Sequence, residues 1–226
     1  MSSVVGLYGL GEMNEAREQL EDFIFTAHNR PFQCLDSNMS MRSHTCFGIL
    51  RQIRSNRRSV PQSTLLTLIS SFVVTKLDYC NIALASLQSC DLDRLQSVIN
   101  AATRLTVGEQ RHDHITLLLA NLHWLHIPQC IQYKLRVLVY QCVQGSASSY
   151  LQNAICPVVS AESRRRLRAT SSADLIVPAT RRTTMGDRIF AGSHAWNSLP
   201  DTIRHSPPQA VFKRSLKTHL YIQCFY

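Results

Sequence analysis

Between Ser59 and Gly145 one pattern returns four times: apolar residues at steps of three and four, closed off by proline or glycine. That spacing commits the region to helices that each bury one face. In "SVPQSTLLTLISSFVVTKLDY" Ser59 is placed to cap, Pro61 falls in the first turn and Gln62 follows three residues on, the order of a capping box. Leu65, Leu68, Ile69, Phe72, Val73 and Leu77 then form one broad stripe. A second helix follows "SCD", with Asp91 as N-cap, Leu92, Leu95, Val98, Ile99, Ala102 and Leu105 inward, and Gly108 where a left-handed C-cap residue belongs. Asp113 or Thr116 can cap a third, with Ile115, Leu118, Leu119, Leu122 and Leu125 inward as far as the interruption at Pro128. Pro128 opens a fourth through Ile131, Leu135, Leu138, Val139 and Cys142, which Gly145 ends.

The flanks are less regular. "EMNEAREQLEDFIF" predicts an amphipathic helix on Met13, Ala16, Leu20 and Phe23, stopped by Pro31 and followed by a short extended piece, "FQCLD". Beyond Ser146 the reading is a "SYLQNAI" turn, an arginine-rich stretch, a strand "DLIVP", the segment "GDRIFAGSHAWNSLP" with Asp187 as a cap, and a last helix from about Pro207 through Phe212, Leu216 and Leu220. The expected fold class is mainly α: a helical bundle followed by a basic, mostly helical extension with little strand.

Charge is unevenly placed. Of 226 residues with net charge +9, the first 36 hold six acids and two bases, leaving nine acids and twenty-two bases for the remainder. A polyanion would therefore meet the body of the chain rather than its start. The eight cysteines form no close pair and follow no secretory leader, which favours reduced thiols. No run of about 18 apolar residues occurs, so the expectation is an intracellular protein, neither secreted nor membrane-spanning.

The search for chemistry returns little. Asp91 and Asp93 are two apart, a spacing that does not let them face one another on a helix. His123, His126 and Cys130 have the step of a zinc face, but Pro128 should pull Cys130 away; His112 and His114 read as cap or solvent residues. Gly6, Gly9 and Gly11 with Asp36 imitate a dinucleotide turn in the wrong order, GxxGxG, and no strand–helix alternation follows. There is no GxSxG elbow, P-loop or CxxC pair. No catalytic residue, metal ligand, cofactor or small-molecule substrate is expected.

Several phrases together carry a resemblance: "LDSNMSMRSH", "ILRQIRSNRRSVP", "TKLDYCNIALASL", "DRLQSVINAATRL", "DHITLLLANLHWL", "RRRLRATSSADLIVPATRRTTMGDRIFAGSHAWNSLP" and "FKRSLKTHL". From about Phe32 to Tyr226 the chain resembles, with the blocks in family order, the C-terminal end of reverse transcriptases of LINE-type, non-LTR retrotransposons of the Jockey-like branch. The resemblance implies a helical thumb and a C-terminal extension, with "FQCLDSN" in the place of the last strand of the primer-grip hairpin. It brings no palm aspartates: the aromatic-Ala-Asp-Asp turn has no counterpart here. Implied divisions are residues 1–31, unlike the family; 32–58, a hairpin remnant and first thumb helix; 59–148, the thumb-like bundle; and 149–226, the basic extension. Between "SMRSH" and "CFGILRQIRS" the family has about two more helical turns than this chain, so the first thumb helix is expected to be short. Both departures point to a truncated, decaying or co-opted copy.

"SRRRLRATSSADLIVPATRR", residues 163–182, holds six arginines against one aspartate. One reading is a solvated charged loop. The other follows the resemblance: thumb and extension lie along the template–primer, and Arg164, Arg165, Arg166 and Arg168, with Arg181, Arg182, Arg188, Lys213, Arg214 and Lys217, would meet RNA or DNA phosphates weakly and without regard to sequence. A helical module for protein interaction or self-association, or a reading frame without function, is the alternative. Trp196 reads as a core anchor beside Ile189, Phe190 and Leu199, and Tyr79 and Cys80 as packing residues.

Overall fold

The computed structural model describes residues 33–78, 89–108, 114–158, 174–177, 186–206 and 208–226, apart from the side chains of 33–39, 78, 150, 153–154 and 186–191. These residues are mainly α-helical, and strand pairing among them is one isolated antiparallel bridge, Pro157 with Leu175. The chain divides into two compact units, Met1–Ile127 and Pro128–Tyr226. The division falls between Ile127 and Pro128, at the start of the helix Ile127–Val143. The N-terminal amphipathic segment, Tyr79, Cys80 and Asp113 lie outside the described residues.

The first unit opens on α1, Gln33–Ser55. It takes up Gln33–Asp36 of the "FQCLD" stretch, expected to be extended, because no glycine or proline intervenes before Gly48. A 3-10 turn, Arg57–Ser59, leads to α2, Gln62–Ile69, whose N-cap is Pro61. Ser59 is therefore not the cap: it lies inside the turn, three residues before the helix begins. A π-helical turn, Ser70–Val74, joins α2 to α3, Thr75–Asp78. Then come α4, Ser89–Val107, and α5, Ile115–Asn121. α1 packs on α4 and on the π turn, and α5 packs on α4.

The π turn explains which apolar residues reach the core. Leu65, Ile69, Val73 and Leu77 are all at most 2% exposed, at unbroken steps of four. On a regular α-helix a step of four drifts about 40°, so three steps would carry Leu77 about 120° away from Leu65. The wider i→i+5 turn rotates each residue less and brings the stripe back into line. Thr75 Oγ1 donates to Ser70 O, five residues back, at 3.0 Å within this turn. The same under-rotation turns Phe72, expected in the core, out to 51% exposure.

On α4, Leu95, Val98, Ile99, Ala102 and Leu105 are buried as their spacing requires. Thr103 and Thr106 are buried beside them, satisfied by donating to Ile99 O at 2.8 Å and Ala102 O at 2.9 Å. Asp91 is not the cap; it sits in the first turn, buried, and pairs with Arg94 at 3.1 Å. α5 stops at Asn121, before Leu125, because His123 takes φ 54° and reverses the chain. The cap preceding it is His114 rather than Thr116.

The second unit runs α6, Ile127–Val143; α7, Ser149–Ala154; α8, Gly186–Asn197; α9, Asp201–Arg204; and α10, Gln209–Phe225. "DLIVP" forms a bridge rather than a strand. Val158 N–H donates to Asp174 O and Ile176 N–H to Cys156 O, while Asn197 pairs with both backbone groups of Leu175 at 2.9 Å. A side-chain amide thus takes the place of a further strand. α6 ends at Gly145 with φ 71°, and Ser146 N–H reaches back to Gln141 O at 2.9 Å.

Gly108 closes α4 with φ 89°, and a Cβ there would stand 2.2 Å from Arg57 Nη2; Gly145 has nothing within 4 Å. Gly108→Ala is expected to cost more than Gly145→Ala, which pays only the left-handed backbone, about 1 kcal/mol. Urea midpoints of the two variants check this; equal losses would show that Arg57 yields freely.

Candidate nucleic-acid interface

Three rings join α6, α8 and α10. Tyr140 stacks on Phe212 with centroids 4.2 Å apart, and Trp196 lies 6.0 Å from Phe212 and 6.5 Å from Tyr140. Trp196 and Phe212 are at most 1% exposed, so Trp196 is the core anchor its sequence neighbours implied. Gly192 lets α8 approach this core: a Cβ there would meet Val139 Cγ2 at 3.0 Å.

Two arginines that sequence reasoning passed over are buried among these helices. Arg136, 6% exposed, donates from Nε to Ala195 O at 3.0 Å and from Nη2 to Ser198 Oγ at 3.1 Å. Its charge meets the C-terminal end of α8, where the helix dipole is negative. Arg204 is bonded to Asp174 and Asp201, which ties α9 to the bridge segment. The only sequence signal for Arg136 was its place within the apolar run "LRVLVY".

Of the ten cations expected to meet phosphate, Arg164, Arg165, Arg166, Arg168, Arg181 and Arg182 lie outside the described residues. Arg188 falls on α8, with its side chain likewise outside them. Lys213, Arg214 and Lys217 are brought together on α10.

α10 buries Phe212, Leu216 and Leu220, the i, i+4, i+8 row. At about 100° per residue, Lys213, Lys217 and Arg214 occupy one flank about 100° wide beside that row. Arg214 is exposed and the two lysines half-buried. Burial lowers the pKa of both lysines; their stems cover apolar surface while the ammonium groups lose water. No acid follows Asp201 in the sequence, so α10 itself supplies no counter-charge. Tyr221 and Phe225 extend the same flank as a ring pair with centroids 4.8 Å apart. Cations beside such half-buried rings can bind a phosphodiester chain.

Elsewhere the groups are quiet. Burial pushes the Cys142 thiol up to about 11 and raises that of Cys46, which makes both poor nucleophiles. His123 lies in the turn after α5 and Cys130 on α6, so they do not share a helix face. Among the described residues no three His, Cys, Asp or Glu side chains gather as a metal would require, and no disulfide joins the six described cysteines. No described helix is long and apolar enough to cross a membrane. No family model, curated protein or solved structure matches the chain.

His219, on the opposite flank of α10, has its pKa lowered from 6.5, first by burial and then by Arg136. Folding therefore favours its neutral form. That stability is complete above the unfolded value near 6.5 and is lost as pH falls through the lowered folded value. Urea midpoints at pH 7.5 and 5.5 should fall further for the parent chain than for His219→Gln; equal falls would show that His219 is not the group responsible.

Proposed function

We propose that this chain is a reverse-transcriptase-derived protein that carries thumb and extension sequence without a catalytic palm, has no polymerase activity of its own, and binds RNA or DNA backbone weakly without regard to sequence. The observation that carries the reading is the flank of α10, where Lys213, Arg214 and Lys217 stand together on a helix without a single acid. The ordered phrases from Phe32 to Tyr226 support the family half of the reading, and the absence of an aromatic-Ala-Asp-Asp turn supports the lack of activity. Guanidinium and ammonium groups so placed attract phosphates whatever the bases.

Met41, Phe72 and Leu117 are 70%, 51% and 65% exposed in the first unit, and this favours a second reading, self-association through an apolar surface.

Binding of generic single-stranded and duplex oligonucleotides across a salt series tests both. Steep loss of affinity with salt is expected, with the slope reduced by about 2 in K213Q/R214Q/K217Q. No binding at low salt, together with oligomers that grow with concentration, overturns the first reading in favour of the second. Incorporation of deoxynucleotides on a primed template by the purified chain overturns the absence of polymerase activity.

A further inference from the structure

Between Asp36 and Asp78 the chain has no acid, against five arginines and Lys76. The structure sorts these arginines. Arg42 is half-buried beside Cys46. Arg57 lies against Gly108 at the end of α4. Arg51, Arg54 and Arg58 remain, all three exposed, and the ion pairs among the described residues engage none of them. Of the two acids of this unit whose side chains are described, Asp91 is committed to Arg94, and the exposed Asp93 is in none of the ion pairs among the described residues.

The helix adds an aromatic to this charge. At about 100° per residue, His44, Phe47, Arg51 and Arg54 fall in one arc of about 80° on α1, which borders the buried face of Cys46 and Leu50. Phe47 is 37% exposed at the edge of that arc. Gly48 stands next to it with nothing within 4 Å of where a Cβ would be, so the surface is open to close approach. Arg58 continues the basic surface into the 3-10 turn.

We propose that this face of α1 is a second nucleic-acid site, separate from α10, and that its ligand is an unpaired strand, with Arg51, Arg54 and Arg58 on phosphates and Phe47 against a base. The inference rests on the nucleic-acid reading above and adds the form of the ligand. Arginines alone do not distinguish one strand from two. The ring does, because the faces of paired bases are already covered by their neighbours, whereas an unpaired base offers a free face. Neighbouring arginines one helical step apart, about 5–6 Å between Cβ atoms, track consecutive phosphates of a single flexible strand without deforming it.

The test uses the full chain, an oligothymidylate and a duplex of equal charge, in a salt series. R51Q/R54Q/R58Q is expected to reduce the salt slope on the single strand by about 2. Phe47→Leu keeps the half-buried bulk and removes the aromatic face; it should weaken oligothymidylate binding about fivefold while leaving slope and duplex affinity unchanged. Far-ultraviolet circular dichroism equal to the parent shows that α1 persists in both variants. A parental slope in the arginine variant, or parental affinity in Phe47→Leu, overturns the proposal. So does polyglutamate that competes as well as oligothymidylate, which would mark an acidic-protein surface. If the parent binds and only the α10 variant loses slope, this site alone falls; if the parent binds neither oligonucleotide, the underlying function falls with it.

Discussion

Two helices in this protein have an arginine from elsewhere in the chain at their C-terminal ends. Arg57 lies against Gly108 where α4 stops, and Arg136 donates to Ala195 O and Ser198 Oγ where α8 stops. The last carbonyls of a helix have no partner within it and carry partial negative charge, so a guanidinium there is a counter-charge, and Arg136 is a donor as well. In a chain so poor in acids this matters more than usual. A backbone carbonyl and a hydroxyl hold the buried Arg136, whereas the carboxylates of Asp174 and Asp201 hold Arg204.

The consequence is a division of labour among the arginines. Arg136 is buried and has a lowered pKa because burial strips it of water. Arg204 holds the only carboxylates near it. What remains outside, Arg51, Arg54 and Arg58 on one unit and Arg214 on the other, is exposed charge that no ion pair among the described residues engages. Such charge raises the self-repulsion of the folded chain and has a physical use only where a polyanion relieves it.

How much of this was legible in the sequence depended on the kind of signal. Phe212, Leu216 and Leu220, or Leu95, Val98 and Ala102, announce their burial because an undistorted helix translates spacing directly into facing. Phe72 misled for the opposite reason: the spacing was read at the α-helical period through a segment that is wound more widely. Ser59 and Asp91 have the chemistry of caps, but cap identity depends on where a helix starts to within one residue, and local preference does not fix that. "DLIVP" has strand composition, yet among the described residues it pairs only as a bridge with Pro157, and Asn197 supplies the backbone bonds of Leu175. Of the interface, Lys213, Arg214 and Lys217 were visible as a cluster, whereas the difference between Arg57, which is spent on a helix end, and Arg58, which is not, exists only in three dimensions.

The wide turn at Ser70–Val74 amounts to one residue more than a regular helix from Gln62 to Asp78 would need to keep its apolar row in line. The Thr75 amide bonds to Ser70 O, five residues back, whereas the Ser70 amide still reaches Leu66 O, four back. The amide proton of Thr75 is therefore expected to trade with deuterium ahead of those in α2, so that the helix yields at its middle rather than by fraying from its ends.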